Sequence, residues 1–135
     1  MTIVAKHSPY IVGIDLGTSN STAAIYRKGH AEVIPIDGKP LVPSVINVRE
    51  SGEIIVGYAA KSLMLVDPEN TVASVKREMG NPKFAKEFKG KPGKQYSATD
   101  LSAEILEKVR TGVEGSGSID LRGSLKYAVI CIPAN

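Results

Sequence analysis

Residues 12–26 read VGIDLGTSNSTAAIY: an apolar run, a six-residue interruption from Asp15 to Asn20, and a second apolar run. Two strand-forming stretches this close in sequence pair with each other through a tight turn, so a hairpin is the first fixed point of the fold. An Asn-Gly pair would make such a turn without any charge. Asp15, followed by Gly17, Thr18, Ser19 and Asn20, therefore raises the question of what the turn holds.

The pattern extends in both directions. Residues 10–16 and 21–27 read as the two hairpin strands, and Ala31 to Ile36 adds a third short apolar run, giving an antiparallel meander. Gly38, Pro40 and Pro43 interrupt it. SVINV (44–48) and EIIVG (53–57) then supply two more strands around a Ser-Gly turn. Residues 59–66 read as a helix, and Val72, Val75 and Met79, spaced by three and four, predict a helical face closed by Gly80. Lys76 and Arg77 fall off that face.

Residues 81–93 are rich in Lys, Gly, Pro and Phe, and lysines 83, 86, 89, 91 and 94 read as a solvated loop or edge strand. Ser97 with Asp100 has the form of a capping box, and Leu101, Ile105, Val109 and Val113 follow at intervals of four, so a helix begins there. GVEGSGSIDLRG (112–123) reads as a flexible connection; its Gly115-Ser116-Gly117 fails the dinucleotide fingerprint because Asp120 stands at the third glycine position. Residues 127–132 are apolar and β-branched, the pattern of a strand buried on both faces, which makes Cys131 a core residue. The layout is mixed α/β, with the last strand beside the first and helices over the sheet's faces.

Composition narrows the function classes. At 135 residues the chain is long enough for one domain with a real core. No apolar run approaches the roughly 18 residues that span a bilayer, so no membrane partner is expected. Seventeen Lys and Arg against fourteen Asp and Glu leave a formal charge of +3, too small and scattered to indicate a nucleic-acid surface. Cys131 is the only cysteine and His7 and His30 stand far from it, so neither an internal disulfide nor a zinc spacing is present. With no secretory signal pattern at MTIVAKHSPY, the expected compartment is the cytoplasm.

The turn itself has two readings. Successive backbone N–H groups in a tight glycine-containing turn converge on an anion, and the hydroxyls of Thr18 and Ser19 add donors. Asp15 would oppose a phosphate there by about 4 kcal/mol at 4 Å and an effective dielectric of 20, unless a cation lies between them. Mg²⁺ is commonly held by one or two carboxylates together with substrate phosphates. The other reading is a hairpin whose Asp merely bonds turn amides. Spacing does not separate the two.

VGIDLGTSNS resembles the first phosphate motif of the Hsp70 (DnaK-like) chaperones, a Gly-Ile-Asp-Leu-Gly-Thr-Thr stretch. LVPSVINV (41–48), VGYAAKSL (56–63), NTVASVKREMG (70–80) and AVICIPAN (128–135) resemble further stretches of that family in the same order. The resemblance implies the actin-like, ribonuclease-H-like ATPase fold. On it, residues 1–44 and 99–135 form the base subdomain of the first lobe, and 45–98 an inserted upper subdomain of α+β type. Asp15 resembles the carboxylate that holds Mg²⁺ through water. Gly17, Thr18, Ser19 and Asn20 resemble the phosphate-contacting turn, Lys76 the catalytic lysine, and Pro133 a relay toward the interdomain linker.

The ligands implied are ATP or ADP with Mg²⁺, and K⁺ as a further ion. The partners implied for the complete protein are unfolded polypeptide clients, a J-domain co-chaperone and a nucleotide exchange factor. Ser19 replaces the family's second Thr and keeps its hydroxyl, whereas Asn135 replaces an aromatic residue. The family's second phosphate motif, adenosine site, second lobe and peptide-binding domain would lie beyond Asn135, so the chain reads as half an ATPase domain that is inactive alone. Two alternatives stand beside a chaperone ATPase: a sugar kinase or filament-forming ATPase of the same superfamily, and a short interaction module without catalysis.

Overall fold

The computed structural model describes residues 11–117 and 128–131. Strands β1 (Ile11–Leu16), β2 (Asn20–Arg27) and β3 (His30–Val33) form the expected antiparallel meander. β4 (Val42–Pro43) adds to the far end of β2, pairing Asn20 with Pro43 and Ser21 with Val42. β10 (Val129–Cys131) pairs parallel to β1, with Asp15 opposite Cys131, so the last described strand does lie beside the first.

A second, three-stranded sheet has β5 (Val45–Val48) between β6 (Ile54–Val56) and β7 (Thr71–Ala73). β8 (Lys86–Phe88) and β9 (Lys91–Tyr96) make a separate hairpin from the lysine-rich segment. Phe88 and Tyr96 are buried beneath it in an edge-to-face pair with ring centroids 5.3 Å apart. Asn47 of β5 is buried, and its amide donates to Asp67 (3.1 Å) and Thr71 (2.9 Å), tying β5 to the segment that leads into β7.

Helix α2 (Ala98–Gly115) organises both apolar clusters. Its start is fixed by the expected capping box: Asp100 N–H donates to Ser97 Oγ at 3.1 Å and Ser97 N–H donates to the Asp100 carboxylate at 2.9 Å. Its buried face is Leu101, Ile105, Val109 and Val113, as the spacing predicts. Val109 and Val113 join Val12, Ile14, Ile25, Ile34 and Ile36 of the five-stranded sheet and its margin. Leu101 and Ile105 join Leu16, Ile46, Val48, Val75, Phe88 and Tyr96. Each such side chain taken out of water contributes about 1.5–3 kcal/mol, so α2 is the common wall that couples the sheets.

The structure corrects four expectations. Only Tyr58–Lys61 is helical (α1) in the expected 59–66 segment, and turns follow. Leu65 and Val66 are 94% and 76% exposed, so no apolar face exists to hold a longer helix, and Pro68 disfavours helical backbone before it. The helix expected over Val72, Val75 and Met79 is instead β7, paired to β5, and a 3₁₀ turn at Val75–Glu78. Ser74, at φ +56°, turns the chain between them, so Val72 and Val75 meet the core from different elements.

The connection expected from residue 112 begins later, because α2 runs through Gly115 with Val113 fully buried. A Cβ on Gly112 would come within 2.4 Å of the Ile36 side chain; this glycine lets the helix approach the sheet margin and does not end it. Residues 118–123 of that connection lie outside the described residues. Finally, Ile130 and Cys131 are exposed, not core. Among the described residues β10 is an edge strand, and α2 covers the face that carries Val12, Ile14 and Leu16. The opposite face, with Asp15, Tyr26 and Val33, is open among the described residues.

Candidate functional site

The turn Gly17–Ser19 connects β1 to β2. Alternation along β1 buries Val12, Ile14 and Leu16 toward α2 and sends Asp15 to the open face, where it is exposed. The carboxylate therefore projects beside the turn and away from the core. Gly17 is sterically required: a Cβ there would lie 2.0 Å from the carbonyl oxygen of Asn20.

Two of the turn's carbonyls are held by Ser44. Ser44 Oγ donates to the Gly17 carbonyl at 2.9 Å, and Ser44 N–H donates to the Ser19 carbonyl at 2.9 Å. Among the described residues, no acceptor takes the N–H of Gly17, Thr18 or Ser19, and the side chains of Thr18, Ser19 and Asn20 form no hydrogen bond. Ser19 and Asn20 are exposed and Thr18 is half-buried. The result is a short arc of unpaired donors next to one carboxylate.

Those donors suit the oxygens of a polyphosphate, and one carboxylate with phosphate oxygens suits a hard divalent cation such as Mg²⁺. Among the described residues no group of three or more His, Cys, Asp and Glu side chains could hold a metal by protein ligands alone. Asp15 is thus suited to a cation that arrives with its phosphate ligand.

Lys76 lies on a different element, the 3₁₀ turn that packs on α2, where Ser102 Oγ meets Met79 Sδ at 3.5 Å. It is half-buried and makes no ion pair among the described residues. Its neighbour Val75 shares a buried cluster with Leu16, which precedes the phosphate-type turn. Pro133 lies outside the described residues. A cleft of about 450 Å³ opens elsewhere, lined by Ile36, Val42, Val56, Tyr58 and Lys108, and neither the turn nor Lys76 contributes to it.

Sequence reasoning missed Ser44 and Ser21, whose hydroxyls lie 2.9 Å apart in the interior. A signal was present for both. Ser21 falls in the buried phase of β2 with Ala23 and Ile25, and Ser44 sits inside the apolar stretch LVPSVINV. A hydroxyl in a buried phase needs a partner, and the nearest unpaired backbone is the turn.

The family model described as Hsp70 protein matches residues 11–135. The chain is 40% identical over 134 residues to the chaperone protein DnaK of Thermotoga petrophila, covering 97% of this chain and 21% of that protein. The DnaK proteins of Thermotoga neapolitana and Thermotoga maritima match with the same identity and coverage. The chain thus spans about a fifth of the length of these relatives. The mixed sheet, α2 against one face and the smaller α+β portion agree with part of the first lobe of the actin-like ATPase fold. A match over nearly the whole chain separates it from the sugar-kinase and filament alternatives: the chain belongs to the Hsp70 protein family.

Proposed function

We propose that the chain forms part of the first lobe of a chaperone ATPase that binds Mg-ATP and couples its hydrolysis to binding and release of unfolded polypeptides. The observation that carries this reading is the Gly17–Ser19 arc, with its Gly17 and Ser19 carbonyls drawn toward Ser44 and its N–H groups without an acceptor among the described residues. Gly17, Thr18, Ser19 and Asn20 hold the phosphates in it, and Asp15 holds the ion through water. Mg²⁺, when bound, supplies the positive charge that offsets repulsion between Asp15 and the phosphates.

Lys76 approaches the transferred phosphoryl group from its separate turn. A compact ammonium with rotatable donors suits charge that develops late on phosphoryl oxygens. Its lack of a carboxylate partner among the described residues leaves that charge available. Pro133 relays nucleotide state toward the linker. Residues 45–98 act as the inserted upper subdomain, a division supported by the separate sheets that β5–β7 and β8–β9 form. K⁺ is a further ion of this site.

Clients, a J-domain co-chaperone and a nucleotide exchange factor act through the full-length protein, in the cytoplasm. No helix among the described residues is long and apolar enough to cross a membrane. The test is release of a labelled unfolded peptide from the full-length protein. Mg-ATP is expected to accelerate release, and a release rate indifferent to nucleotide would defeat the chaperone coupling.

A further inference from the structure

The geometry points to Ser44 as a positioning residue that holds the phosphate turn in its binding conformation, an inference that rests on the reading of the turn above. Ser44 lies between β4 and β5 and is 2% exposed. Its single hydroxyl proton goes to the Gly17 carbonyl, so the fully buried Ser21 hydroxyl, 2.9 Å away, donates to Ser44 Oγ. Its own N–H goes to the Ser19 carbonyl. One residue thus holds two carbonyls of the turn, two residues apart in sequence.

The consequence follows from peptide planarity. The C=O of one residue and the N–H of the next lie in one rigid plane and point in opposite directions. Drawing the Gly17 carbonyl toward Ser44 therefore aims the Thr18 N–H the other way, where no acceptor among the described residues takes it. Gly17 is the one turn position where backbone freedom is widest, and no larger residue can stiffen it, because a Cβ would strike the Asn20 carbonyl at 2.0 Å. A turn that needs glycine for space takes its rigidity from Ser44. Without that bond the Gly17–Thr18 peptide is free to rotate, and binding has to order it first.

The test compares equilibrium binding of ATP and of adenosine to the full-length protein. Adenosine reports the rest of the site without the phosphates. Ser44→Ala is expected to weaken ATP binding by about tenfold, the scale of one lost hydrogen bond, with adenosine affinity within about twofold of the parent. Ser44→Cys, near-isosteric with a weaker donor, is expected to fall between them, again for ATP alone. Gly17→Ala is the control for the underlying site, and it should weaken ATP binding in a selective way. Full ATP affinity in Ser44→Ala with a weakened Gly17→Ala overturns the role of Ser44 and leaves the site reading standing. Full ATP affinity in Gly17→Ala as well removes the site reading itself. Equal loss of ATP and adenosine in Ser44→Ala makes the hydroxyl a support of the fold at large and overturns the positioning role.

Discussion

Leu16, which ends β1 at the mouth of the phosphate-type turn, and Val75, which precedes Lys76, lie in one buried apolar cluster with Leu101 and Ile105 of α2. Each of the two elements assigned to ATP chemistry is thereby anchored one residue away from its polar group. The core sets their mutual placement, and loop conformation alone does not.

That anchoring makes the α2 face critical. Ile105→Ala is expected to destabilise the fold by about 2–5 kcal/mol, because it opens a cavity where both sheets meet the helix. Leu65→Ala should stay within about 0.5 kcal/mol, since Leu65 is 94% exposed. Chemical denaturation of the two variants measures the contrast, and equal effects would contradict the placement of the core.

The capping box gives a second prediction. Ser97→Ala should cost about 1 kcal/mol through the loss of the side-chain acceptor at the start of α2. The N–H and hydroxyl of Ser97 bonded to Asp100 hold its carboxyl below the usual aspartate range, with Lys94 adding a smaller pull. A carboxyl lowered in the folded state stabilises the fold above its unfolded pKa, near pH 4, and loses that contribution as pH falls through the folded value. Denaturation between pH 5 and about pH 2 should therefore show a fall in stability that Asp100→Asn reduces.

How much of this was legible in the sequence varied with range. The hairpin around Gly17 and the helix from Ser97 were legible because each rests on local chemistry: alternation about a glycine turn, and a cap followed by four-residue spacing. The Thr71–Glu78 segment was not. Apolar residues three and four apart suggest a helix, yet pairing with β5 and the left-handed Ser74 placed Val72 and Val75 on separate elements. Gly112 read as the start of a flexible connection and is a packing glycine inside α2, because Ile36, against which it packs, lies far away in sequence. Cys131 looked like core because an apolar run does not reveal which neighbours a strand has. The candidate residues Asp15, Gly17, Thr18, Ser19 and Asn20 could be read together because they are contiguous, whereas Ser44 reaches the turn from 27 residues away.

A third prediction concerns the 135-residue chain by itself. Among the described residues no acceptor takes the turn's N–H groups, and the cleft lined by Ile36 and Lys108 lies away from them. Purified chain is expected to hydrolyse ATP no faster than buffer and to bind it weakly, since water is not excluded. Mg-dependent turnover by the chain alone would contradict this.

A fourth concerns the ion. In the full-length protein, Asp15→Asn should shift the Mg²⁺ dependence of ATP binding to higher concentration, because the carboxylate contributes charge and the amide does not. A titration of Mg²⁺ at fixed ATP reads the shift, and superimposable curves would remove Asp15 from the ion's surroundings.

The central claim is that turn and lysine do different jobs on the same nucleotide, and Lys76→Ala in the full-length protein tests it most directly. Single-turnover hydrolysis and equilibrium ATP binding are measured on the same preparation. A donor used as charge develops in the transition state supplies roughly 100- to 1000-fold in rate with much less effect on ground-state affinity. Hydrolysis should fall by about that factor while ATP binding stays within a few-fold of the parent; unchanged hydrolysis would make Lys76 an ordinary surface lysine and contradict the account.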